Sequence, residues 1–129
     1  MLSKLILFTT LLCVLALPAI AAADGAQLYA DNCVACHRPT GLGVKGAFPP
    51  LAGSAIATGD PRAAALRVLN GRGGMPAFKA ALTDPQIADV LTYIRSTWGN
   101  NAPKVLPATV AAARAGGPAS TITGGQQAH

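Results

Sequence analysis

The chain has 129 residues, a formal net charge of +5, and only 12% charged residues. That length suits one domain. Lys and Arg are scattered and form no dense run, which excludes nucleic acid as a partner and leaves an acidic protein surface as the better match.

Residues 1–23 read as a cleaved signal peptide. Lys4 gives a short basic start, Leu5 to Leu17 is almost wholly apolar, and Pro18-Ala19-Ile20-Ala21-Ala22-Ala23 supplies the small residues of a cleavage site. The cut is expected after Ala23, with Ala22 and Ala21 as neighbouring choices. An uncleaved anchor would need about 20 apolar residues, so no membrane span is expected in the mature chain. Cys13 follows Leu12 instead of a small residue, which argues against a lipoprotein cysteine, and it leaves with the leader. The product is exported, with the periplasm as the expected compartment. It retains 106 residues, of which the five acidic ones are all aspartate.

Asp24 is a candidate N-cap for a helix from Gly25 to about Asn32, with Leu28 and Tyr29 as its bulky apolar residues. Cys33 comes four residues after Tyr29 and so shares its face. Cys33-Val34-Ala35-Cys36-His37 is the chemical centre of the sequence. Two thiols two residues apart, followed at once by histidine, read as a c-type haem attachment site. A redox disulfide would want a βαβ pattern around it, and no convincing strand is present. Zinc would want a second ligand pair, and the other histidine, His129, ends a polar tail.

Residues 38–54 hold four glycines and three prolines with little periodicity, and read as loop. Asp60-Pro61 opens a helix through Leu69, and Asn70-Gly71 closes it. A glycine-rich stretch then carries Met75, 38 residues beyond His37 and the sole methionine once the leader is removed. A thioether is a soft, uncharged iron ligand, and a lone methionine in such a loop is poorly placed as core filler. Thr83 and Gln86 form a capping box for the last long helix, with Pro85 in its first turn. Ile87, Val90, Leu91, Ile94 and Trp98 recur at helical spacing as one buried stripe. After residue 99 the composition changes: a short helix is expected over 107–115, followed by a small, polar, disordered tail.

Cys33 to His37, Phe48-Pro49-Pro50-Leu51-Ala52-Gly53, Gly74-Met75-Pro76 and the terminal helix with Tyr93 together resemble a small bacterial class I cytochrome c. The resemblance covers residues 24–99, and the tail is faintly similar to single-haem cytochromes associated with dehydrogenases and oxidases. It implies an all-α fold of three to four helices wrapped, with loops, around one covalent haem c. It further implies thioether bonds from Cys33 and Cys36 and iron ligation by His37 and Met75. The Pro49 carbonyl would take the proton of His37, and Phe48 and Leu51 would pack on the ring. Gly25 would sit where the first helix crosses the last, with Tyr93 near Gly25 and Tyr29. The implied function is one-electron transfer with no catalysis, as a free carrier or as the cytochrome subunit of a dehydrogenase or oxidase. Redox partners would dock at an exposed haem edge with help from Arg38, Lys45, Arg72 and Lys79. A haem enzyme or ligand-binding haem protein in which Met75 leaves the iron is the weakest alternative: a separate catalytic domain would need more chain, and two-haem peroxidases need a second Cys-x-x-Cys-His.

Overall fold

The computed structural model describes residues 24–116. The expected leader, the tail from residue 117 and His129 lie outside the described residues. Six helices follow in order: α1 (Gly25–Asn32), α2 (Val34–His37), α3 (Ala55–Thr58), α4 (Pro61–Asn70), α5 (Asp84–Ser96) and α6 (Pro107–Arg114). Four have eight to thirteen residues, and α2 and α3 are single turns. Among the described residues the only β pairing is two isolated bridges, Val44 with Phe48 and Arg72 with Met75.

Local chemistry explains where the helices begin. The Asp24 carboxylate accepts the Ala26 amide at 3.0 Å, and that of Asp60 accepts the Arg62 amide at 2.9 Å. Each takes up a donor that the first helical turn leaves without an internal partner. At α5 the capping box is complete: Thr83 Oγ1 accepts from the Gln86 amide, and Gln86 Oε1 accepts from the Thr83 amide.

Packing is organised by a close crossing of α1 over α5. A Cβ on Gly25 would collide with the carbonyl of Asp89 and press on Tyr93 Cβ, so only glycine lets the two backbones approach this far. Leu28 and Tyr29 of α1 are buried against the α5 residues Ile87, Val90, Leu91 and Ile94. Ala64, Ala65 and Leu69 of α4 complete the core. Tyr29, Tyr93 and Trp98 form an aromatic trio with ring centroids 5.0–5.8 Å apart, within the range of favourable ring pairs.

Two expectations change. Trp98 does not continue the α5 stripe. The helix ends at Ser96, Thr97 is extended, and Trp98 has φ 54, which turns its ring back onto Tyr29 and Tyr93. The boundary placed at residue 99 does not divide the packing either. Val105, Val110 and Ala113 belong to the same core, and α6 packs against both α4 and α5.

Arg95 holds the segment after α5 in place. It is only 2% exposed. Its Nε donates to the Pro103 carbonyl at 2.8 Å, and its Nη1 donates to the carbonyls of Ala57 at 2.7 Å and Gly59 at 2.9 Å. Burial lowers its pKa, with Asp60 acting in the opposite direction. The guanidinium stays charged regardless, so each of these is a charge-assisted bond, of a kind worth about 1.5–3 kcal/mol. Arg95→Met should therefore destabilise the mature holoprotein by about 2–4 kcal/mol in denaturant unfolding, allowing for water at the exposed Gly59 and Pro103. A loss below about 1 kcal/mol would show that these bonds are replaced without cost.

Candidate haem site

Cys33 closes α1 and opens α2 in the same residue. Its amide bonds to the Tyr29 carbonyl at 2.9 Å, while its own carbonyl accepts from the His37 amide at 2.9 Å. This double use turns the chain sharply and places Cys33, Cys36 and His37 on the wall of one cavity. Met75, from the loop between α4 and α5, lines the same cavity. The volume is about 460 Å³, within the roughly 300–1,000 Å³ of small-molecule and cofactor sites. Phe48 and Leu51 also line it, with apolar residues from α4 and α5 such as Val68, Val90 and Ile94.

His37 is 8% exposed, and its Nδ1 lies 3.0 Å from the Pro49 carbonyl oxygen. A carbonyl can only accept, so the proton sits on Nδ1. In the neutral ring that tautomer leaves the lone pair on Nε2, the nitrogen that can bind metal, and the bond fixes the ring's orientation. The loop that presents Pro49 is itself held. Asn100, 8% exposed, donates from Nδ2 to the carbonyls of Leu51 and Ile94 and accepts the Gly53 amide at Oδ1. Behind His37, the Tyr29 hydroxyl donates to the Arg38 carbonyl at 2.7 Å, and the Trp98 indole donates to the Pro39 carbonyl at 2.9 Å. Burial first, then Cys33 and Tyr93, pushes the Tyr29 phenol up to about 12. It therefore remains a donor at neutral pH.

Met75 sits on a tight turn in which the amides and carbonyls of Arg72 and Met75 are exchanged at 3.0 and 3.1 Å. Gly71, at φ 66, makes the turn possible, since a side chain there would strike the Met75 carbonyl. The Phe78 and Lys79 amides then bond to the Val68 and Leu69 carbonyls, tying the loop to the end of α4.

The donor set fits a broad, flat group better than a single ion. Among the described residues no group of three His, Cys, Asp or Glu side chains converges as a metal site. Cys33 and Cys36 are not bonded to each other. Burial, with Cys36 second, pushes the Cys33 thiol up to about 11. A planar porphyrin suits this mostly apolar cavity, which has two sulfurs at one edge and an oriented imidazole.

Of the four basic residues expected near the haem edge, Arg72 lines the cavity. Arg38, Lys45 and Lys79 are exposed, and Lys45 borders a shallow depression beside Phe48, Pro49 and Pro50. Arg67, which sequence reasoning passed over, also lines the cavity. So do Phe78 and Leu82. No helix among the described residues is long and apolar enough to cross a membrane.

Residues 20–94 match the family model described as cytochrome C oxidase, cbb3-type, subunit III. The chain is 40% identical over 97 residues to the cytochrome c subunit of the quinone alcohol dehydrogenase of Gluconobacter oxydans (strain 621H), covering 66% of this chain and 20% of that protein. It thus spans about a fifth of that dehydrogenase subunit. It is 39% identical over 75 residues to the cytochrome c6 of Leptolyngbya boryana, covering 57% of this chain and 88% of the relative. Cytochrome c6C from Synechococcus sp. PCC 7002 superimposes with a TM-score of 0.50 at 26% identity, over 59% of this chain and 96% of that one. A family match running through more than half of the chain, joined to near-complete coverage of a cytochrome c6, makes this protein a member of the cytochrome c family, whose cofactor is covalently bound haem c.

Proposed function

We propose that the protein is a one-electron carrier of the periplasm, exported by residues 1–23 and active after their removal. The observation that carries this reading is the meeting of Cys33, Cys36, His37 and Met75 on one apolar cavity, with His37 already oriented by Pro49. Cys33 and Cys36 would hold haem c by two thioethers, and His37 Nε2 and the Met75 sulfur would take the axial positions. When bound, the haem supplies a reversible ferrous–ferric couple, and His/Met ligation raises its potential. The protein's own contribution is orientation, water exclusion and electrostatics. The Pro49 bond keeps the imidazole aligned in both oxidation states. Phe48, Leu51, Val90 and Ile94 exclude water, which disfavours the more highly charged oxidised form. Arg67 and Arg72, on the cavity wall, would supply positive charge to offset the haem's carboxylates. If His37 and Met75 both held the iron, no position would be left there for substrate, and substrate chemistry would belong on another chain.

A second reading makes the protein a cytochrome subunit that accepts electrons from a separate dehydrogenase chain. The similarity to the Gluconobacter oxydans subunit supports it. Both readings need an exposed haem edge at which partners dock, with Arg38, Lys45, Arg72 and Lys79 as the proposed basic rim. Transient redox interfaces are small, and charge acts mainly on the encounter rate.

Two outcomes follow. The ferric protein should show the weak far-red sulfur-to-iron band at neutral pH. Met75→Ala should lose the band and take up exogenous ligands. Intact haem without the band in the unmodified protein would refute Met75 as ligand. For docking, second-order reduction by an acidic redox partner should slow as salt rises, since the screening length falls to about 10 Å at 0.1 M. Replacing Arg72 and Lys79 by glutamine should flatten that slope. A rate independent of salt in the unmodified protein would remove the basic rim from the account.

A further inference from the structure

The loop that carries Met75 is anchored at two levels. On its amide side, Phe78 and Lys79 donate to the α4 carbonyls of Val68 and Leu69 at 3.0 and 3.2 Å. On its carbonyl side, one residue of α6 reaches across. Arg114 donates from Nη1 to the Lys79 carbonyl, from Nη2 to the Leu82 carbonyl at 2.9 Å, and from Nε to Asp84 Oδ1 at 2.6 Å. Its side chain is 31% exposed, so the ion pair with Asp84 is partly screened. The value of Arg114 lies in geometry: a planar fork spans the turn from Lys79 to the start of α5, which a flexible single ammonium would not do. Phe78 and Leu82, the two ends of that turn, both line the haem cavity beside Met75. Arg114 itself follows the stretch 20–94 matched by the family model, on a helix whose Val110 is 0% exposed and locks it to the core.

We propose that Arg114 is a positioning residue for Met75, acting from the C-terminal helix to hold the Met75 loop closed over the iron. The proposal rests on the assignment of Met75 as sixth ligand. A neutral thioether competes with any better ligand that reaches the iron, and such a ligand binds only while the loop is open. Its apparent affinity therefore scales with the open fraction. Loss of the Arg114 fork removes the restraint on the Lys79–Leu82 turn and raises that fraction without altering either axial residue.

The experiment uses the mature ferric holoprotein at pH 7, with imidazole as probe, followed by loss of the far-red band. Arg114→Gln should bind imidazole about tenfold more tightly and faster than the unmodified protein, a modest fraction of what charge-assisted bonds contribute. Arg114→Lys keeps the charge but not the fork, and should shift about threefold; it also serves if the glutamine variant does not accumulate. The control is Asp24→Ala, which removes the exposed cap of α1, a helix that makes no contact with α6. It should lower global stability in denaturant while leaving imidazole binding within about twofold. A far-red band in the unmodified protein with unchanged imidazole binding in the Arg114 variants overturns the proposal alone. An equal rise in Asp24→Ala overturns it too, by reducing Arg114 to a general contributor to stability. Absence of the band from the unmodified protein overturns the ligand assignment, and this proposal with it.

Discussion

The contact between the α1 backbone and the Asp89 carbonyl, permitted by the missing side chain at Gly25, is the constraint on which the site depends. It sets the distance between α1 and α5 and thereby brings Tyr29 against Tyr93 and Trp98. With those rings packed at tilted and edge-on angles, the Tyr29 hydroxyl and the Trp98 indole hold the carbonyls of Arg38 and Pro39. These are the two residues that follow His37. A helix crossing some distance from the iron thus controls the direction in which the haem-binding turn faces. A side chain at Gly25 would push α1 outward and disturb the aromatic trio before it disturbed the cavity.

The same economy appears on the other side of His37. Asn100 satisfies a carbonyl of α5 and, with the same amide group, holds both a carbonyl and an amide of the loop that presents Pro49. Most of the polar groups that shape the site are backbone atoms held by single buried side chains. Such groups change little between oxidation states, which suits a protein whose proposed task is to exchange an electron with little rearrangement. Arg95 and Arg114 carry backbone anchoring into the C-terminal segment: Arg95 gathers carbonyls of Ala57, Gly59 and Pro103, and Arg114 two carbonyls of the turn before α5.

How much of this the sequence displays depends on how local each signal is. Cys33, Cys36 and His37 are legible because the attachment chemistry needs them within five consecutive residues. The starts of α1, α4 and α5 are legible because Asp24, Asp60 and Thr83 cap amides only two or three residues away. Trp98 misleads because helical spacing carries on past a helix end that is set by Thr97 and the left-handed turn at Trp98. The docking of α6 is hidden because Ala111, Ala112 and Ala113 give little contrast between its faces. Arg95 and Asn100 are illegible for a further reason. Four of their six partners are backbone groups 36 to 49 residues away, and a backbone group has no residue signature.

The central claim is that Cys33 and Cys36 are thioether-bonded to one haem whose iron is held by His37. The most direct measurement is mass analysis of the mature protein and of its proteolytic peptide spanning Cys33 to His37, after acid extraction that removes non-covalent haem. The account predicts that haem stays on that peptide, and that Cys36→Ala yields protein with one thioether or none. Haem that extracts freely, or a peptide whose two cysteines are joined to each other, would contradict it.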